Sequence, residues 1–215
     1  KIGQIRTENA DIKVAGCRVE VNSVKFDEQK FSAELVADKV QVGSLLKNSI
    51  PINGPLSGKF QVSGNTENFD VETLRIQGDA SLAAAGGRIT ANNIQVKDGI
   101  YLARIRTNNL QLQQLSQQIP KSFKGKLTGE FDVAGSLESF QPESIVATGK
   151  AKVETSGGII AANNIQVKNG VYLAQVATNN VRVRELSEQI PKSFAGRLTG
   201  KFKIAGSINS FAAVT

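Results

Sequence analysis

The sequence contains no histidine, no methionine and no tryptophan, and its only cysteine is Cys17. Without histidine the chain has no Ser-His-Asp or Cys-His nucleophile, no imidazole metal ligand and not the usual general base near neutral pH. A single cysteine cannot form an internal disulfide and is a poor zinc site, so Cys17 is expected to be a small buried side chain. These absences predict a protein that is not an enzyme and has no catalytic residues, no metal site and no cofactor.

Long apolar runs, a targeting signal and an initiating methionine are also missing. A helix that crosses a bilayer needs about 20 mostly apolar residues, and no such stretch is present. We therefore expect these 215 residues to be a segment of a longer protein, with any signal sequence or membrane anchor outside it.

The sequence repeats itself at an offset of 71 residues. Residues 86–140 match residues 157–211, with 35 of 55 positions identical. An older copy precedes them, because LSGKFQVSG at 56–64 aligns with LTGEFDVAG at 127–135. Fixed-length repeats are typical of arrays in which each unit buries its apolar surface against the next. We interpret the chain as three units of one continuous array, bounded as residues 1–70, 71–141 and 142–215.

Within each unit the dominant period is two, which is the period of a β-strand with one apolar face. In LTGEFDVAG, Leu127, Phe131 and Val133 point to one side, and Glu130 and Asp132 point to the other. The segment YLARIRT at 101–107 alternates in the same way, and LQL at 110–112 continues it after a break at Asn108 and Asn109. The sequence therefore predicts an all-β chain.

Turn and helix signals separate these strands. Asp98-Gly99 and Asn169-Gly170 predict type I′ hairpin turns, because these residues accept positive φ values. Apolar residues at helical spacing before a proline predict one short helix in each unit. The predicted helices cover residues 42–50, 112–119 and 183–190.

A sheet of such strands has one apolar face that has to be covered. Either two arms of the sheet pack as a closed sandwich, the commoner arrangement in all-β chains, or the sheet curls into a trough filled by apolar groups of another molecule. Bulky residues alternate with glycine and alanine on this face, which favours the trough. The residues predicted to line it are Leu56, Phe60, Val62, Tyr101, Ile105, Leu127, Phe131, Val133, Tyr172, Val176, Leu198, Phe202 and Ile204.

The net charge of +7, from 26 Lys and Arg against 19 Asp and Glu, could indicate a nucleic acid or an anionic membrane as a partner. The outward positions do not keep their cations, however: Glu130 in one unit is Lys201 in the next, and Asp132 is Lys203. A surface that binds phosphates would keep them. The phenylalanines of these strands lie on the apolar side and not among the lysines. Nucleic-acid binding is therefore disfavoured, and the outer face is predicted to be simply solvated.

Taken together, the Gly-rich amphipathic strands and the motifs ANNIQVK, LTGEFDVAGSLESF and IPKSF resemble the TamB family, the inner-membrane component of the translocation and assembly module. The pattern is similar to its cyanobacterial and chloroplast-envelope branch, within the AsmA-like bridge-type lipid transfer proteins, over nearly the whole chain. The resemblance implies a β-taco, an elongated U-shaped antiparallel sheet with a hydrophobic groove.

The resemblance also implies a function. The chain would be a segment of a periplasm-spanning conduit that carries phospholipid acyl chains between the inner and outer membranes, with a further role in outer-membrane protein assembly. The implied partners are a phospholipid, or another extended acyl ligand, and a BamA-type outer-membrane protein contacted through parts outside this segment. The parent protein would be anchored in the inner membrane. The residues themselves leave an alternative open, a structural spacer or stalk whose β units have a closed packed core.

Overall fold

A computed structural model describes residues 5–7, 10–14, 17–41, 53–67, 70–115, 123–139, 141–186, 190–191 and 193–208. These residues form thirteen strands with only short helical turns between them. The strands are β1 (Ile5–Thr7), β2 (Ala10–Val14), β3 (Cys17–Asp27), β4 (Lys30–Gln41), β5 (Pro55–Asn65), β6 (Arg75–Ala84), β7 (Gly87–Lys97), β8 (Ile100–Gln111), β9 (Gly125–Ser136), β10 (Val146–Thr155), β11 (Gly158–Lys168), β12 (Val171–Arg182) and β13 (Arg197–Ser207). The predicted all-β class is confirmed.

The strands hydrogen-bond in an order that follows the sequence. The order is β1-β3-β4 and then every strand in turn to β13, with β2 also paired to β3. Successive strands are antiparallel, so from β3 onward the chain is a meander in which each strand pairs with the next one. Two-residue connections join five of these strand pairs, and the turn signals predict two of them, between β7 and β8 and between β11 and β12.

The backbone packs as two compact units. The first unit comprises residues 1–83, 89–105 and 134–140, and the second comprises residues 84–88, 106–133 and 141–215. These units group residues by proximity and are separate from the three sequence repeats, whose boundaries stay a prediction. Each unit is described by itself below.

The two predicted hairpin turns are confirmed. Asp98 and Gly99 have φ values of 52° and 71°, and Asn169 and Gly170 have values of 53° and 70°. Positive φ at both central positions defines a type I′ turn, whose twist matches that of the strands it joins. The Asp-Gly and Asn-Gly pairs are present because asparagine, aspartate and glycine reach this conformation at low cost.

The interruption predicted at Asn108 and Asn109 is a bulge within one strand. Strand β8 continues to Gln111, and Asn109 adopts φ of 55° inside it. The equivalent residues of the other repeats, Lys39 and Asn180, have φ of 52° and 58°. The strand register shifts at both of these positions, as in a β-bulge.

The bulge decides which residues reach the core. One extra residue resets the alternation of the strand, so the apolar residue that follows it returns to the apolar face. These residues are Val40, Leu110 and Val181, with exposed fractions of 2%, 2% and 0%. A second set of residues with positive φ consists of Ser23, Asn93 and Asn164, at 54°, 53° and 51°, and the register shifts at Ser23 and Asn164. Each repeat therefore has two residues with positive φ at matching positions.

The predicted helices are confirmed at their beginnings. A single helical turn forms at Leu112–Leu115 and another at Val183–Leu186. Residues 116–119 and 187–189, and the helix predicted at residues 42–50, lie outside the described residues, and Ile190 is a bend and not helical. Within the described part of the chain, no helix is long and apolar enough to cross a membrane. Cys17 begins β3, but the structure does not describe its side chain, so its predicted burial stays a prediction.

Candidate functional site

In the second unit, the predicted lining residues of β12 and β13 lie on one face. The strand register places Tyr172 opposite Gly206, Val176 opposite Phe202 and Ala174 opposite Ile204. Residues directly opposite each other on antiparallel strands project from the same face. Leu198 lies on the same face, opposite Val181, the buried residue that follows the bulge of β12.

The face continues across β11 and β10. Val176 lies opposite Ala162 of β11, which lies opposite Ala151 of β10. The other residues of β10 and β11 on this face are Ala147, Gly149, Val153, Ile160, Ile165 and Val167. From β10 to β13 the face has no charged side chain, and its polar side-chain groups are the hydroxyls of Thr155, Tyr172 and Thr178. We call these residues, with Leu127, Phe131 and Val133 of β9, the apolar face of the second unit.

The first unit has an apolar face of the same kind. On β5, Leu56 lies opposite Val40, Phe60 opposite Leu35 and Val62 opposite Ala33 of β4. On the other side of β5, the same three residues lie opposite Leu82, Gly78 and Ile76 of β6. Tyr101 and Ile105 of β8 are half-buried and alternate with the exposed Leu102 and Arg104, as predicted. These residues form the apolar face of the first unit.

Phenylalanine rings on these faces lie over glycines. A Cβ atom added at Gly58 would be 3.0 Å from the ring of Phe60, and one added at Gly78 of the next strand would be 2.8 Å from the same ring. The ring of Phe131 lies in the same way against Gly129 and Gly149, at 2.8 Å and 2.7 Å. Only glycine leaves this space for a ring against the backbone.

A second aromatic residue of each repeat also covers a glycine. The rings are those of Phe31, Tyr101 and Tyr172, and the glycines are Gly64, Gly135 and Gly206. A Cβ atom at Gly64 would be 2.8 Å from the Phe31 ring, and one at Gly206 would be 2.6 Å from the Tyr172 hydroxyl. The alternation of bulky and small residues is therefore not sparse packing. It is a set of fitted pairs in which a ring from one position fills the space above a glycine at another.

Most of the thirteen predicted lining residues are half-buried, and none is fully buried. Phe202 and Ile204 on β13 are the most exposed, each at 42%. The fully buried large residues among those described are Val40, Leu110 and Val181, which sequence reasoning did not single out. The signal that could have identified them is an apolar residue directly after a bulge residue.

Two hydroxyl groups are buried without a hydrogen-bond partner among the described residues. They belong to Thr107 and Thr178, which are 9% and 8% exposed. The equivalent residue of the first repeat is Ala37, which is buried to the same degree and has no polar side-chain atom. A buried hydroxyl without a partner destabilises the fold. Neither threonine hydroxyl is needed to fill this position, because the first repeat has an alanine there.

The outer face of the second unit carries the charged residues. Arg106 donates to Glu130 from Nη2 at 2.8 Å and from Nε at 3.0 Å, and Lys150 lies 3.9 Å from the same carboxylate. On β10, Lys152 donates to Glu154 at 2.7 Å, and this hydrogen bond and the lysine charge lower the pKa of Glu154. These pairs are exposed to solvent and add little stability each.

The outer face, predicted to be simply solvated, carries solvent-exposed apolar side chains near the hairpins. In the first unit, Ile100 and Leu102 are 54% and 48% exposed; in the second, Val171 and Leu173 are 53% and 46% exposed. The sequence placed Leu102 on this side of β8, beside arginines. Its own side chain and that of Ile100 make the end of the strand apolar.

Among the described residues, no three His, Cys, Asp or Glu side chains come close enough to hold a metal ion. A recess of about 690 Å³ in the second unit is lined by Gln111, Gln113, Lys124, Gly125, Lys126, Glu154, Thr155 and Ser156. It contains none of the predicted lining residues. The apolar faces of the two units are therefore the candidate functional site.

The chain was compared with protein-family models, curated proteins and solved structures, and none of them matches it.

Proposed function

We propose that this protein segment binds lipid acyl chains on its apolar faces and is part of a conduit that carries phospholipid between two membranes. The observation that supports the proposal most strongly is the separation of residue types on the strands. One face is apolar over the adjacent strands β4 to β6 in the first unit and β10 to β13 in the second, and the charged residues project from the other side. The lining side chains are half-buried or exposed, so they retain apolar surface that a ligand can cover.

The chemistry of these faces suits a hydrocarbon chain better than a polar ligand. Covering apolar surface contributes about 25 cal/mol per Å², or about 0.8 kcal/mol per buried CH₂ group, and needs no particular orientation. The faces offer few hydrogen-bonding side chains that would hold a ligand at one place. Contacts that are similar along the path let a chain move without crossing a deep energy minimum.

The phenylalanine rings over the glycines help to keep the apolar contacts similar from strand to strand. Phe60 and Phe131 each lie against glycines of their own strand and of the next strand. Because the ring lies close to the backbone, neighbouring strands share one continuous apolar covering. An acyl chain would contact this covering as it passes from strand to strand.

The wider setting of the proposal comes from the resemblance to the TamB family. We propose a periplasmic location for this segment, in a parent protein anchored in the inner membrane. A BamA-type outer-membrane protein, contacted through other parts of that parent, is the proposed protein partner, and a contribution to outer-membrane protein assembly belongs to the same proposal.

A rigid spacer is the second candidate function. The full burial of Val40, Leu110 and Val181 favours it, since each repeat has at least one well-packed apolar residue. In a spacer the apolar faces would serve only to hold the strands together and would bind no lipid. The two functions therefore differ in whether the faces accept a ligand.

Native mass spectrometry of the purified protein separates these candidates. The protein is incubated with mixed micelles of detergent and a phospholipid, and spectra are recorded after the detergent is released. The conduit predicts complexes with the mass of one or more phospholipids. Because the protein has a net charge of +7, glycerol 3-phosphate serves as a headgroup control and is expected not to bind. Absence of phospholipid complexes, or equal binding of the control, contradicts the proposal and favours the spacer.

A further inference from the structure

Strand β13 ends the strand order of the described residues and pairs only with β12 among them. Its apolar-face residues Phe202 and Ile204 are each 42% exposed. On its outer face, Lys201 and Lys203 are exposed, and neither forms an ion pair with another described residue. The backbone groups along the free side of such a strand can accept one more strand.

The junction between β5 and β6 shows how the equivalent strand of the first repeat is covered. Phe60 lies opposite Gly78, and its ring lies over that glycine. Lys59 lies opposite Asp79, so residues of opposite charge are paired on the outer face, and the Asp79 carboxylate also accepts a hydrogen bond from the Asn93 amide at 2.9 Å. The covering strand β6 therefore presents the dipeptide Gly-Asp to the dipeptide Lys-Phe of β5.

The junction between β9 and β10 has the same geometry with the charges exchanged. The ring of Phe131 lies over Gly149 of β10. The carboxylate of Glu130 lies 3.9 Å from the ammonium group of Lys150. Strand β10 thus presents Gly-Lys to the dipeptide Glu-Phe of β9. In both repeats, a glycine accommodates the ring and the residue after it complements the charge.

Strand β13 carries the next copy of the same dipeptide, Lys201-Phe202. Its neighbour on the paired side also matches the first repeat: Ala177 lies opposite Lys201, as Val36 lies opposite Lys59. Neither Ala177 nor Val36 carries a charge. In the middle repeat, by contrast, Glu130 is paired with Arg106 on one side and with Lys150 on the other.

We propose that the free edge of β13 binds one antiparallel strand of the repeat's own pattern, with glycine opposite Phe202 and aspartate or glutamate opposite Lys201. The backbone hydrogen bonds supply most of the affinity, and the ring and the charge select the strand and its register. A strand of the β10 kind would place a lysine against Lys201 and is disfavoured, since like charges directly opposite destabilise a sheet. The replacement of Glu130 by Lys201 between repeats then specifies which kind of strand binds this edge. This proposal does not depend on lipid binding.

Peptides derived from the protein test this proposal. The ¹⁵N-labelled protein is titrated with a peptide of residues 74–85, which contains β6, and amide chemical shifts are followed. We expect saturable shifts at the amides of β13. The same peptide with Asp79→Lys is expected to bind about fivefold more weakly, which corresponds to about 1 kcal/mol. With Gly78→Val it is expected to lose binding, because its side chain would meet the Phe202 ring.

A charge exchange in the protein makes the test specific. In the Lys201→Glu variant the preference should reverse, so that the Asp79→Lys peptide binds more tightly than the original one. Lys203→Glu is the matched control, because the position opposite it corresponds to the uncharged Gln77, and it should leave the order of the two peptides unchanged. Shifts at strands other than β13, no shifts with any peptide, or an unchanged order in Lys201→Glu would overturn the proposal.

Discussion

Strands β9 and β13 have nearly the same apolar face and opposite outer charges. On the apolar side, Phe131 and Phe202 occupy equivalent positions, and each ring lies against the glycine two residues before it. On the outer side, Glu130 is held by two cations, whereas Lys201 projects freely from the described part of the sheet. The difference shows that the residues of the two faces are constrained in different ways. The apolar face is restricted by the fit of rings to backbone, and the outer face only by the sign of the adjacent charge.

The largest expected effect is the loss of stability on replacing a buried leucine of β8, compared with an exposed leucine on the other face of the same strand. Leu110 and Leu102 both belong to β8, but Leu110 is 2% exposed and Leu102 is 48% exposed. We expect Leu110→Ala to lower the free energy of unfolding by about 2–5 kcal/mol, through lost burial and a cavity. Leu102→Ala, the matched control, should change it by less than about 0.5 kcal/mol. Urea denaturation measures both, and equal losses would contradict the assignment of faces.

The next effect tests the fit between rings and glycines. Gly135→Ala should destabilise the protein by about 1–3 kcal/mol, because the new methyl group would meet the Tyr101 ring. The cost should fall when Tyr101 is already replaced by alanine. A double-mutant cycle on the free energy of unfolding measures this coupling. If the two changes were additive, the ring would not be fitted to the glycine.

A smaller effect, an increase in stability, is expected when the buried hydroxyl of Thr178 is removed. Thr178→Val should raise the stability by about 1 kcal/mol, because it removes a buried hydroxyl without a partner and keeps the side-chain volume. Thr148→Val, on the exposed side of β10, serves as the control and should be nearly neutral. A destabilised Thr178→Val protein would show that the hydroxyl has a hydrogen-bond partner, such as a bound water molecule.

The smallest effect concerns the outer face. Glu130→Lys places a cation between Arg106 and Lys150 and should cost less than about 1 kcal/mol, because all three side chains are partly exposed. The cost should shrink in high salt, which screens exposed charges. The double variant with Lys150→Glu should recover part of it. A loss that is large and independent of salt would mean that this face is packed and not solvated.

The sequence predicted the strands and their faces well, because period-two alternation directly records which side of a sheet is apolar. Tyr101 and Ile105 were placed correctly for this reason, and the Asp-Gly and Asn-Gly turns follow from local backbone energetics. The pair of asparagines indicated the interruption at Asn109 but not that it is a one-residue bulge, since the sequence does not show how the chain regains its pairing. The ring of Phe131 over Gly149 could not be predicted, because it depends on the register between two strands.

Site-specific photocrosslinking tests the central claim most directly. A photoreactive amino acid replaces Val133 on the apolar face or, as the matched control, its neighbour Asp132 on the outer face of β9. Each variant is irradiated in the presence of a radiolabelled phospholipid, and the labelled protein is quantified after denaturing electrophoresis. The account predicts strong labelling at position 133 and little at position 132. Equal labelling at the two positions, or none at position 133 in a folded protein, would contradict it.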